Sequence, residues 1–148
     1  MVAFENPNAE WQLHNKKASG AKDHEIGCPV WRHPDMQSLL IHVQDGSYIT
    51  RFDQCYWGDR SREPTCVLFA CKWLTSWEIK ELTKNMDGRL CTCSFHEVVL
   101  KGKARGAWAT NAAKCYNMAF AAELAYTIDK IWMARNAKVD AMRVAQSS

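Results

Sequence analysis

Glu5 and Asn6 stand behind the apolar run Met1–Ala3 and before Pro7, so a carboxylate and an amide fall where a short strand would end. Open α/β sheets bind ligands outside the carboxyl ends of their strands, which makes this pair a candidate for gripping a polar ligand. The plainer reading is a strand stopped by proline. A second group is Cys91, Cys93 and His96, three possible zinc ligands in one short stretch, with Cys71 or Cys115 as a fourth. Their spacing is not a paired Cys-x-x-Cys, and cysteine is among the most buried residue types. The expectation is therefore no metal, with reduced core cysteines and a satisfied histidine. The basic turn Lys101–Gly106 offers Lys101, Lys103 and Arg105 as phosphate contacts, although such turns are more often merely solvated. Cys55 with His42 would make a nucleophile and base, but no local signature joins them.

Such groups need a fold to position them. The chain has 148 residues, 47% apolar, with seven Trp and a net charge of +3, enough for one packed domain. No run of about 18 apolar residues could cross a bilayer. The amino terminus lacks the basic region, apolar run and cleavage site of a signal peptide. Seven cysteines, an odd number, fit reduced thiols in an intracellular compartment such as cytosol, nucleus or organelle matrix. The charge balance permits nucleic acid as a partner without predicting it.

Residues 8–33 carry few periodic apolar positions and read as a long surface excursion pinned by Trp11 and Trp31. Pro34, Met36, Leu39, Leu40 and Val43 have helical spacing, with Gly46 as the stop, giving a helix over about 34–45. Tyr48–Asp53 and Thr65–Ala70 read as strands around a polar loop. Thr75 and Glu78 form a capping-box spacing that opens a helix over about 76–85. His96–Leu100 reads as a further strand, and Thr110 or Asn111 as the cap of a long helix over 112–145, whose distal half would pack on another subunit. The architecture expected is α/β: a small mixed sheet with flanking helices and the long carboxyl-terminal helix, divided as a domain over 1–125 and a helical extension over 126–148.

Phe4–Pro7 with Trp11, Phe52–Gly58, Arg62–Thr65, His96–Gly102, and Thr110 with Cys115 and Ala119–Ala125 occur in an order that carries a resemblance. Together they resemble the carboxyl-terminal half of a methyltransferase-like family found in algal and retroelement-type reading frames, distantly similar to DNA (cytosine-5) methyltransferases. The resemblance implies a partial methyltransferase-like fold in which Glu5 and Asn6 hold a flipped base and Arg62 orients base and backbone, with Arg60 less securely placed. Glu63 departs from the pattern, because a basic residue tends to stand before the Pro-Thr pair.

A larger departure concerns what precedes Phe4. In the relatives, a glycine-rich loop for S-adenosylmethionine and a Pro-Cys nucleophile come before the Glu-Asn strand. Here three residues do, and Cys28–Pro29 has the reverse order. The expectation is a non-catalytic subunit without the cofactor-binding half, binding no cofactor and serving a structural role among protein partners. The alternative is one piece of a split nucleic-acid cytosine methyltransferase, active only with a partner that supplies the cofactor site and the cysteine.

Overall fold

The computed structural model describes residues 1–7, 33–42, 44–97, 103–104, 107–108 and 117–148. Its centre is the strand Pro64–Ala70 (β3), buried at every position. That burial explains the unbroken Cys66-Val67-Leu68-Phe69 run: a strand covered on both faces has no polar side to show. Val2–Pro7 (β1) and Ser47–Asp53 (β2) flank it in the order β1-β3-β2. Both pairings are antiparallel, with Val2 and Ser47 each opposite Ala70. The mixed sheet expected from the sequence is thus an all-antiparallel one. Strand direction is fixed by which chain segment returns alongside, a nonlocal choice that residue pattern does not encode.

Helix Pro34–His42 (α1) covers one face, where Met36, Cys66 and Leu68 are buried and Phe4, Leu40 and Ile49 pack around them. The opposite face carries the larger core, in which Phe52, Val67 and Phe69 meet Ile79 of helix Ser76–Thr83 (α2) and Phe120 and Ile131 of helix Met118–Ser147 (α3). Helices on both faces of one sheet make the α/β layering. A two-residue ladder, Lys103–Ala104 (β4) against Ala107–Trp108 (β5), stands apart from this sheet.

Local chemistry accounts for the helix ends. Thr75 Oγ1 accepts the Glu78 N–H at 3.2 Å and Glu78 Oε2 accepts the Thr75 N–H at 2.7 Å, a complete capping box. Helix α3 begins at Met118 rather than Ala112, because Asn117 Oδ1 takes the Phe120 N–H at 2.8 Å. Thr110 and Asn111, the expected caps, lie outside the described residues. Helix α1 ends at His42, and Gln44–Gly46 forms a separate 3₁₀ turn. A side chain at Gly46 would approach the carbonyl oxygens of Cys71 and Leu74 to 3.0 and 3.1 Å, so the β3–α2 corner packs directly on this backbone. The excursion at 8–32 lies outside the described residues.

Helix α3 is continuous across residues 125 and 126, and Ile131 belongs to the core. From Asp140 onward every residue is exposed. No helix among the described residues is long and apolar enough to cross a membrane.

Candidate metal centre

The loop between β2 and β3 begins with a 3₁₀ turn, Gln54–Trp57. Gln54 fixes it from inside: its N–H donates to Glu63 O at 3.0 Å and its Nε2 to Thr65 Oγ1 at 3.0 Å. Gly58 then takes the left-handed conformation, φ 88°, donating its N–H to Cys55 O at 3.0 Å. These bonds hold Cys55 inward, 7% exposed. Beneath the turn, Trp57 meets Phe52 edge-on at 5.0 Å and Phe120 at 5.8 Å, and Asn117 Nδ2 donates to Trp57 O at 2.7 Å.

A second segment is brought to this loop from the end of α2. The chain turns at Lys84–Gly88 and runs beside β2, with Gly88 N–H on Arg51 O and Asp53 N–H on Arg89 O, both at 2.9 Å. Two carboxylates fasten it. Asp87 accepts the Arg51 N–H at 2.9 Å and the Tyr48 hydroxyl at 2.7 Å, a bond that pushes the Tyr48 phenol up to about 12. Asp53, 1% exposed, accepts the Cys91 N–H at 2.7 Å through Oδ2, and Arg62 Nε lies 3.4 Å from the same oxygen. Buried charge is tolerated when it is paired and hydrogen-bonded in this way.

The two segments meet at sulfur. Cys55, Cys91, Cys93 and His96 bring their ligand atoms within 4.8 Å of one another, and Cys91 Sγ lies 3.3 Å from His96 Nε2. In a tetrahedral zinc site, Zn–S distances of about 2.3 Å and Zn–N distances of about 2.0 Å set ligand–ligand edges of about 3.4–3.8 Å. One edge is already that short, and the others need contract by no more than about 1.4 Å. Three thiolates and an imidazole are a donor set that zinc favours over calcium or magnesium, which prefer oxygen.

Electrostatics separates the thiols. Burial first, then the Cys91 hydrogen bond and the neighbouring thiolate charges, push Cys55 up to about 12. Burial raises Cys91 too, but the Cys93 N–H, hydrogen bonds from the Cys55 and Cys93 thiols, and the Arg62 charge outweigh it and bring Cys91 below the ordinary thiol value. A divalent cation is what would let all three ionise together.

The fold thus unites Cys91, Cys93 and His96 and adds Cys55 as the fourth donor. Cys71, one of the two expected fourth ligands, is buried in the main core, where burial raises its thiol. Cys115 lies outside the described residues. His96 and Glu97 are irregular backbone rather than strand, and Val98–Leu100 fall outside the description. Cys93 is exposed, so the expected core role does not hold for it, whereas half-buried His96 has Cys91 Sγ as a partner. His42 sits at the other end of the β2–β3 ladder, near Gly46 and Cys71, and does not meet Cys55. The overlooked signal was Cys55 itself, a cysteine in an otherwise polar hairpin loop.

The remaining candidates are placed as follows. Glu5 and Asn6 lie within β1, opposite Val67 and Cys66, not in a turn beyond a strand. Arg62 is engaged by Asp53, and Arg60 Nε donates to Glu97 Oε2 at 2.7 Å, tying the hairpin loop to the segment that carries His96. Lys103 falls in β4, while Lys101 and Arg105 lie outside the described residues. Glu63 holds a buried Oε2 without a hydrogen-bond partner among the described residues. Burial, followed by the charges of Glu5 and Asp59, pushes its carboxyl up to about 7. No protein-family model, curated protein or solved structure matches the chain.

Proposed function

We propose that this chain is a non-catalytic structural subunit whose fold is completed by one zinc ion held by Cys55, Cys91, Cys93 and His96. The convergence of four ligand atoms within 4.8 Å, from two separate chain segments, carries the reading. Four protein donors fill a tetrahedron and leave no position for water or substrate, which distinguishes a structural zinc from a catalytic one. The ion would close the β2–β3 loop onto the segment after α2, which otherwise relies on a few hydrogen bonds and the exposed Arg60–Glu97 pair.

Two further observations support a role within an assembly. Helix α3 runs 30 residues and exposes Met142 and Val144 beyond its last contact with α2, the Lys138–Glu78 pair, as a helix shared with a protein partner would. Glu5, the residue a base-gripping role needs, sits in mid-strand of an antiparallel sheet rather than at a carboxyl edge. That placement favours the structural subunit over the split methyltransferase.

Metal analysis of the purified chain tests the reading. The expected result is about one zinc per chain, whose removal by chelator lowers the thermal midpoint by about 10 °C or more, since structural zinc supplies folding free energy directly. Absence of zinc, or a midpoint indifferent to its removal, would overturn the proposal.

A further inference from the structure

The four donors are unequally protected. Cys55 is buried, Cys91 and His96 are half-buried, and Cys93 is exposed. Cys93 also belongs to irregular backbone, whereas Cys55 is braced by the 3₁₀ turn and the Gln54 bonds. A thiolate open to solvent is the one a dissolved oxidant reaches first. Resting on the zinc reading above, we infer that Cys93 is a peroxide-modification site whose oxidation links it to Cys55 and expels the metal.

The chemistry closes without further reactants. The Cys93 thiolate attacks one oxygen of a hydroperoxide, the O–O bond breaks, and sulfenic acid forms with hydroxide or alkoxide leaving. The Cys55 sulfur then displaces the sulfenic oxygen as water, forming the disulfide. Two thiols give up two electrons, the peroxide takes them, and zinc departs as the divalent ion with its oxidation state unchanged. Cys55 is the resolving partner for a geometric reason. A bond between Cys91 and Cys93 would close a three-residue ring, a loop so short and stiff that closure is strained. The Cys55 and Cys93 sulfurs start within 4.8 Å on different segments, and side-chain rotation with a small backbone shift at Cys93 brings them to bonding distance of about 2.05 Å. Such a bond keeps the hairpin loop attached to its neighbour after the ion has left, while Cys91 and His96 are released.

The test uses the full zinc-loaded chain, titrated with hydrogen peroxide in the presence of a zinc-responsive dye, alkylated and digested with trypsin. Cleavage yields Cys55 in Phe52–Arg60 and both other cysteines in Leu90–Lys101, so an interpeptide bond separates from an internal one by mass. The expected result is loss of about one zinc per chain in step with a cross-link between those two peptides, both reversed by dithiothreitol and added zinc. Zinc retained under peroxide, or released with the disulfide confined to Leu90–Lys101, would overturn this inference while leaving the structural site standing. A chain that never holds zinc would overturn the zinc reading and this one with it. Cys93→His, which keeps four donors, is expected to hold zinc and resist peroxide; release as fast as from the parent chain would count against Cys93 as the point of attack.

Discussion

Asp53 and Cys91 are joined by a 2.7 Å hydrogen bond from the Cys91 N–H to the Asp53 carboxylate, which the fold buries at the end of β2. The bond orients the backbone from which the first sulfur of the Cys91-x-Cys93 pair projects. Groups that hold ligands in place commonly contribute one to two orders of magnitude to metal affinity. Asp53→Ala is expected to weaken zinc binding about 10- to 100-fold in a chelator competition, with one zinc still bound at saturation. Unaltered affinity would show that the carboxylate serves the fold alone.

Glu63 gives a pH dependence of defined sign. Its carboxyl is raised from 4.5 to about 7 in the folded chain, so the folded state holds the proton more tightly than the unfolded one. Stability should therefore fall as pH rises from about 4.5 to about 7, and level off above. Glu63→Gln removes the buried charge and is expected to raise stability at pH 8 by about 1–3 kcal/mol, with little gain at pH 4.5. Urea unfolding at the two pH values checks this, and an equal effect at both would sink the assignment.

Glu78 behaves oppositely. Lys138 Nζ lies 2.8 Å from its carboxylate and, with the Thr75 cap, holds it down at about 2. Its contribution is present above the ordinary value of 4.5 and fades as pH falls toward 2. The pair is about a third exposed on each side, so solvent screening limits the Lys138 part to about 1 kcal/mol. Lys138→Met should cost about that much at pH 7 and almost nothing at pH 2, whereas Glu78→Ala should cost about 1–2 kcal/mol because the cap goes as well. Equal costs for the two variants would deny the cap its share.

Asn117 joins two elements through one amide, accepting from Phe120 N–H and donating to Trp57 O. Asn117→Ala is expected to destabilise the chain by about 1–3 kcal/mol. Asn117→Asp, which keeps the cap but loses the donor to Trp57, should recover only part of the loss. Full recovery, read by thermal unfolding, would mean that the Trp57 bond contributes nothing.

Local signals in the sequence located what local forces decide. The Thr75–Glu78 spacing marked the start of α2, and the Cys66–Phe69 run marked the buried strand, because capping and burial act over a few residues. Strand direction did not show, nor did the placement of Glu5 within β1, since both depend on which segments pair across the sheet. The cap at Asn117 was missed in favour of Thr110 or Asn111 because several residues of the right type precede the helix and its contact with Trp57 is tertiary. Three of the four candidate metal donors were visible as a cluster. The fourth was not, because Cys55 is brought to Cys91 only by hairpin and turn.

The sheet order also sets a sequence of events in time. Strands β2 and β3 are joined by a short loop, so they can pair as soon as both exist, and the loop that carries Cys55 closes with them. Strand β1 has no such neighbour: Pro7 waits for Thr65, roughly 60 residues later, and loop closure over that span is slow. Of the three strands of this sheet, the one synthesised earliest is thus the last to find its place. Until it does, one edge of β3 offers unpaired backbone groups, the stage at which a chaperone or a second nascent chain would compete with β1 for the same hydrogen bonds.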